Sequence, residues 1–450
     1  MIAVSWLEKV QQPSSSKEWT NTDKDAIKDT TVDRWVRHYK DRLIKEANLE
    51  EIITLPPVEK KQSIERLVSQ MIEEEKVIIP SHDMNQIIQQ LIHDSVGFGP
   101  LESLLERDDI TEIMVNSPDD IYIERQGKLE KTSVRFKNEE HIHHIIDRII
   151  APIGRRIDES SPMVDARLPD GSRVNAAIPP VSIDGPIISI RKFNKDPFSL
   201  QDLVDFGTLN EKMGKFLETL VKAKTNILVS GGTGSGKTTL LNVLSESIPE
   251  GERIVTIEDM AELRFNYDNL VRMEARPPNM EGEGAITINH LVKNALRMRP
   301  DRVIVGEVRG SEALDMLQAM NTGHEGSLTT VHANSPKDAL GRLEAMVIMS
   351  GLPLTVDVIR DYFVGALDVI VQTERLMDGT RRVVAISEVF EEDGEIRIQE
   401  IFRFKQMGFS DQGNVAGYFE AAGYVPKISE RLRAYGQALP DAFFKEGELA

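Results

Sequence analysis

No cysteine occurs among the 450 residues, which excludes both a disulfide framework and a thiolate zinc site. Basic side chains are in deficit: 54 Lys and Arg stand against 73 Asp and Glu, a formal charge of −19. A nonspecific grip on nucleic acid would have to come from a local patch working against that field, so no direct nucleic-acid contact is expected. Long apolar runs are also missing. None approaches the roughly 18–20 residues that cross a bilayer, and the nearest, Tyr362 to Val371, is interrupted by Asp368. The opening MIAVSWLEKVQQ turns polar too soon for a signal peptide. The expected location is therefore cytoplasmic, with membrane association only peripheral and through partners. What is present, 40% apolar and 28% charged residues, suits a globular chain long enough for two or three domains.

Residues 1–30 are rich in Ser, Lys and Asp and read as a flexible tail. Residues 31–96 form an expected helical module, because Ile64, Leu67, Val68, Met71 and Ile72, then Met84, Ile87, Ile88, Leu91 and Ile92, recur at helical spacing. From 97 to 195 the texture changes to short β-like runs (ITEIMVN, IYIER, TSVRF), a helix over Glu139 to Ile150, and strands near Arg173 to Ile178 and Pro186 to Phe193. With DARLPDGSRV and PVSIDGP read as loops, this predicts an α+β domain. Residues 196–209 are the expected linker. From 210 to 450 strands alternate with helices, which predicts an α/β domain with a mainly parallel sheet and its loops of interest at the carboxyl edge. Beyond about 407 the pattern shortens, and helices are expected there.

GGTGSGKT, Gly231 to Thr238, fits G-x-x-x-x-G-K-[ST] between the apolar strand TNILVS and an amphipathic helix. Gly231, Gly232, Thr233, Gly234, Ser235 and Gly236 supply backbone N–H groups to phosphates, Lys237 reaches the β- and γ-phosphates, and Thr238, followed by Thr239, can ligate Mg²⁺. ATP and Mg²⁺ are the cofactors this implies. In RIVTIEDMAEL, Glu258 and Asp259 close an apolar strand, where a base for an attacking water would be useful. In RVIVGEVRG the strand-end aspartate usual for this class is absent: Gly306 follows Val305, and the first acid is Glu307. His332 ends the strand SLTTV and His324 sits in the turn before it. The cluster His141, His143 and His144 has no acids or cysteines at ligand spacing and reads as a solvated helix face. Candidate arginine fingers are Arg167, Arg173 and Arg191 upstream and Arg272 and Arg276 in VRMEARPPN.

The order GGTGSGKTT, TIEDMAEL, ALRMRPDRVIVGEVRG, MNTGHEGSLTTVHANS resembles the secretion ATPase superfamily, specifically its Tad/CpaF branch. The likeness continues upstream through GFGPLESLLERDDITEIMVNSPDDIYIERQGKL and SPMVDARLPDGSRVNAAIPPVS and covers about 97 to 435. It implies a RecA-like P-loop ATPase domain behind the α+β domain and helical module, and a homohexamer with ATP held between the two larger domains. Glu258 with Asp259 matches the family's Asp box, Glu307 its atypical Walker B acid in the outer sphere of Mg²⁺, and His324 with His332 its His box. Arg173 and Arg191 match upstream positions that reach the nucleotide. Without cysteine the tetracysteine zinc module of many type II secretion and pilus-extension members cannot form. The reading is thus an ATPase powering assembly of a Tad (Flp) type pilus on inner-membrane platform proteins, with retraction left open. A conjugative or effector type IV secretion ATPase and a RecA-like DNA translocase are the alternatives.

Overall fold

The structure, a computed structural model, describes residues 31–46, 57–77, 79–95, 97–125, 127–193, 198–278, 283–410 and 413–449. The expected tail 1–30 and residues 196–197 of the expected linker lie outside them. The chain divides into two compact units, Met1–Arg107 with Val134–Gly154, and Asp108–Ser133 with Arg155–Ala450.

The first unit holds helices Thr31–Glu46, Pro57–Glu75 and Ser81–Ser95. The latter two carry the periodicity noted above. The first was not singled out, although Val36, Tyr39 and Leu43 repeat one face and are buried with Val68, Ile87 and Leu91. The helix Glu139–Ile150 also belongs to this unit and is capped by Asn138, whose side chain accepts from His141 N at 2.9 Å. His141, His143 and His144 all lie on this helix, and His144 is exposed.

The second unit contains two sheets. A six-stranded antiparallel sheet has the order β3-β2-β1-β6-β5-β4, where β1 is Ile110–Val115, β2 Ile121–Arg125, β3 Lys128–Lys131, β4 Met163–Arg167, β5 Arg173–Ala177 and β6 Ile187–Arg191. Ile113, Ile121, Val174, Ile188 and Ile190 are buried on one face. Two expectations are corrected here. TSVRF is not a strand: Arg125 pairs with Lys128 around Gly127, whose φ of 75° permits the tight turn, so KLEK takes the pairing position. DARLPDGSRV is not a loop but a β-hairpin: Leu168 N donates to Ser172 O at 2.9 Å, Gly171 turns the chain at φ 96°, and Arg167 pairs with Arg173.

The larger sheet has ten strands: β7 Ile227–Gly231, β8 Ile254–Glu258, β9 Leu270–Glu274, β10 Arg302–Val308, β11 Leu328–His332, β12 Val369–Arg375, β13 Arg381–Glu392, β14 Glu395–Phe409, β15 Val415–Ala421 and β16 Gly447–Leu449. The run β12-β7-β11-β10-β8-β9 is parallel, with β11 between β7 and β10, a RecA-like order. Alternate residues feed opposite cores: Val229 packs with Phe216, Leu217 and Leu241 of helices Glu211–Lys222 and Lys237–Ser245, and Leu228 with Leu317 and Phe363 of the helices on the other face. From β12 to β16 the sheet is antiparallel. The expected carboxyl-terminal helices are therefore mostly strands; among the described residues beyond 407 only Ser429–Ala434 is α-helical. The segment read as a linker forms the helix Leu200–Asp205, opened by a capping box between Ser199 and Asp202.

Candidate active site

The loop between β7 and helix Lys237–Ser245 must curl tightly enough to aim its amides at one point, and Gly234 (φ 67°) and Gly236 (φ 95°) take the left-handed conformations that allow it. Gly231 is required for another reason. A Cβ there would stand 2.4 Å from both Ser235 Oγ and Thr373 Oγ1, whereas at Gly232 nothing lies within 4 Å. Ser235 Oγ donates to Gly232 O at 2.9 Å and sits 2.9 Å from Thr373 Oγ1. Lys237 Nζ donates to Gly232 O at 2.9 Å. Burial holds Lys237 below the usual lysine range; Glu307 opposes this, while Arg191 and Arg309 add to it. Thr238 and Thr239 follow in the first helical turn, and Thr233 is exposed at the loop's tip.

Glu258 ends β8 with only 3% of its surface exposed. One oxygen, Oε2, accepts from Glu262 N at 2.7 Å and Leu263 N at 2.9 Å; the other, Oε1, is buried without a partner among the described residues. Burial raises the pKa of this carboxyl above the usual range, against the two backbone donors. Asp259, next in sequence, is exposed and 3.8 Å from Arg309 Nη1.

The glycine in RVIVGEVRG now has a cause. β10 lies beside β8, and a Cβ on Gly306 would stand 2.9 Å from Glu258 Cγ. Any side chain at 306 would take the space Glu258 fills. Glu307, one position on, is half-buried and accepts from Arg309 Nη2 at 2.8 Å. His332 sits on the strand next to the loop, paired with Gly231, and is held below the usual histidine range by burial and Lys237, with Glu307 opposing. It is therefore neutral at physiological pH. His324 is not brought to the site. It precedes Leu328 at the opposite end of β11, where its Nδ1 lies 3.3 Å from Ala319 O and its carbonyl accepts from Ser327 Oγ.

Arg167, Arg173 and Arg191 occupy one row across β4, β5 and β6. Arg173 Nη1 pairs with Glu262 Oε1 at 2.8 Å and its Nη2 donates to Met260 O; Arg167 Nη2 donates to Glu274 Oε2 at 2.7 Å. Arg191 is exposed, and its side chain has no hydrogen-bond or ion-pair partner among the described residues. Arg272 and Arg276 lie at the sheet's edge: Arg272 is in β9 and exposed, near enough to favour the charged form of Glu258, and Arg276 Nε donates to Gly284 O at 3.0 Å. Motif reading missed Arg309 and Thr373. The first was visible inside RVIVGEVRG, whereas Thr373 lies 138 residues from its loop partner Ser235 and carries no local signal.

These residues fit a nucleoside triphosphate and Mg²⁺. The glycine cradle leaves open space at Gly232, the donors are oxygen atoms of Thr238 and Glu307, and Glu258 Oε1 is a buried acceptor in want of a donor.

Residues 94–401 match the Type II/IV secretion system protein family, and the chain belongs to it. A Mycobacterium tuberculosis protein named for conjugal transfer is 36% identical over 321 residues, 70% of this chain and 90% of that protein. The type IV secretion system protein PtlH of Bordetella pertussis is 35% identical over 312 residues, 64% of this chain and 92% of that protein. The crystal structure of the VirB11 ATPase from the Brucella suis type IV secretion system in complex with sulphate is 29% identical with a TM-score of 0.36, covering 64% of this chain and 95% of that one. Among the described residues no helix is long and apolar enough to cross a membrane.

Proposed function

We propose that the chain hydrolyses ATP as a homohexameric motor at the cytoplasmic face of the inner membrane, powering assembly of a Tad (Flp) type pilus through platform proteins. The observation that carries the catalytic part is Glu258: one oxygen is fixed by two backbone N–H groups and the other is buried and unpartnered, at the sheet edge that bears the phosphate loop. A carboxylate so held keeps its orientation while Oε1 accepts the proton of the attacking water. Lys237 exchanges the Gly232 carbonyl for phosphate oxygens, and neutral His332 donates an N–H towards the γ-phosphate. The Thr238 hydroxyl would hold Mg²⁺, with Glu307 in its outer sphere. When bound, the ion supplies charge neutralisation across the β- and γ-phosphates.

Of the arginines, Arg191 is the better-supported finger. Its guanidinium carries no competing ion pair among the described residues and is close enough to depress Lys237, whereas Arg173 and Arg167 are tied to Glu262 and Glu274. The Tad assignment rests on the motif order and on the absence of cysteine. A second reading, a conjugative or effector secretion motor, is favoured by the names of the relatives.

Steady-state ATP turnover of the purified chain, with and without Mg²⁺ and with Glu258→Gln alongside, tests the enzyme. Turnover by Glu258→Gln near wild type, with nucleotide binding intact, would sink the base assignment. Capture of pilus platform proteins from membranes supports the Tad role, and capture of conjugation or effector channel components supports the second reading. Stimulation of hydrolysis by DNA across a salt series would favour a translocase instead.

A further inference from the structure

Two arginines outside the motifs meet the phosphate loop from the hairpin that joins β12 to β13. Arg375 ends β12, Arg381 opens β13, and the two are paired across the hairpin. Arg381 Nε donates to Gly234 O at 2.9 Å, and its Cδ would stand 3.5 Å from a Cβ on Gly236. Arg375 Nη1 would stand 3.6 Å from a Cβ on Gly234.

Both side chains also reach the six-stranded sheet. Arg375 Nη2 donates to Gly127 O at 2.7 Å, and Glu124 Oε1 lies 3.8 Å from Arg381 Nη2 and 4.0 Å from Arg375 Nη2. The Glu124 side chain is only 12% exposed. Its charge offsets the repulsion between the two guanidiniums. Burial and Arg375 push Arg381 below the usual arginine range, and Glu124 works against them.

The carbonyl of Gly234 and the N–H of Ser235 belong to one planar peptide, so a donor that fixes the oxygen also fixes the direction of the amide. In a phosphate loop the amides face the ligand and the carbonyls face away. A guanidinium on the carbonyl side therefore sets the amide without touching phosphate.

We infer that Arg381 is a positioning residue for nucleotide binding, fixing the Gly234–Ser235 peptide and, through Glu124, tying the phosphate loop to the β2–β3 hairpin. The inference rests on the reading that this loop binds ATP. Loop occupancy is then felt in the six-stranded sheet by a route separate from the Arg173–Glu262 pair.

The test uses the full chain with ADP as probe. Arg381→Ala is expected to raise KM for ATP about tenfold, the worth of one hydrogen bond to a charged group, and more than it lowers kcat. Arg381→Lys, which keeps the charge but cannot hold Gly234 O and Glu124 together, recovers less than half of that loss. Glu124→Gln shifts KM in the same direction. Hydrogen exchange gives the readout a structural role would not move: in wild type ADP slows exchange in both the phosphate loop and the β2–β3 hairpin, and in Arg381→Ala only in the loop. An unchanged KM in Arg381→Ala, or hairpin protection as strong as in wild type, would overturn the inference. If wild type bound no ADP, the ATPase reading would fall and this inference with it.

Discussion

Gly306 and Glu258 share one volume: the space where a Cβ at 306 would sit, 2.9 Å from Cγ, is taken by the glutamate. The acid that nucleotide hydrolases usually carry at the end of this strand cannot be accommodated while Glu258 stands on the neighbouring one. Gly306→Ala is expected to displace the carboxylate and lower ATP turnover by roughly 10²-fold, the scale of a misplaced catalytic group, while ADP affinity stays near wild type. Turnover and equilibrium ADP binding on the same preparation check this, and wild-type turnover would refute it.

Glu258→Gln should lower turnover by about 10²–10⁴-fold and also change how stability depends on pH. Burial raises the native carboxyl above its ordinary 4.5, so the native state holds a proton that the unfolded chain has already released. Its stabilising contribution is complete below 4.5 and is lost as pH rises through the raised value. The melting temperature of Glu258→Gln should therefore gain on wild type as pH rises from 4.5 through the raised value, as followed by calorimetry. A constant difference would place the titration elsewhere.

Glu307 is held by Arg309 at 2.8 Å, on the far side of β11 from the phosphate loop. Glu307→Gln keeps the shape and removes the charge. The Mg²⁺ concentration for half-maximal turnover should rise roughly tenfold or more, the loss seen when groups supporting a metal site are removed. A Mg²⁺ titration at saturating ATP decides it, and a superimposable curve would end the outer-sphere role.

The arginine row predicts two different phenotypes. Arg191→Ala, which breaks no side-chain hydrogen bond or ion pair among the described residues, should cut turnover by about 10³-fold or more if it stabilises transferred charge, with the melting temperature unchanged. Arg173→Ala breaks its pair with Glu262 and its bond to Met260 O, and should lower the melting temperature. The reverse pattern would exchange their roles.

The candidate site was legible where its residues are local in sequence. The phosphate loop, Glu258, Glu307 and His332 each stand at the carboxyl end of a parallel strand, where a doubly wound sheet gathers its loops. Residues that join distant segments were not legible: Arg381 meets Gly234 from 147 positions away. His324 was grouped with His332 because both occur in one motif, yet a strand separates them. In the antiparallel arm a signal was present but unused. Asp393 (φ 55°) and Gly394 (φ 76°) form the two-residue turn between β13 and β14, and Asp-Gly between alternating apolar residues is a strong hairpin pattern. The three-helix core was half read, since Val36, Tyr39 and Leu43 repeat the spacing recognised in the other two helices.

The ties described between the two sheets of the second unit all run through arginines: ion pairs of Arg167 with Glu274, Arg173 with Glu262, and Arg375 and Arg381 with Glu124, and hydrogen bonds from Arg173 to Met260 O and Arg375 to Gly127 O. Partly exposed pairs of this kind are weakened by salt, with a screening length of about 8 Å at physiological ionic strength, whereas apolar cores are not. The seam and the sheets it joins thus answer to different solution variables. Raising salt should loosen the coupling between them well before either sheet loses its own stability.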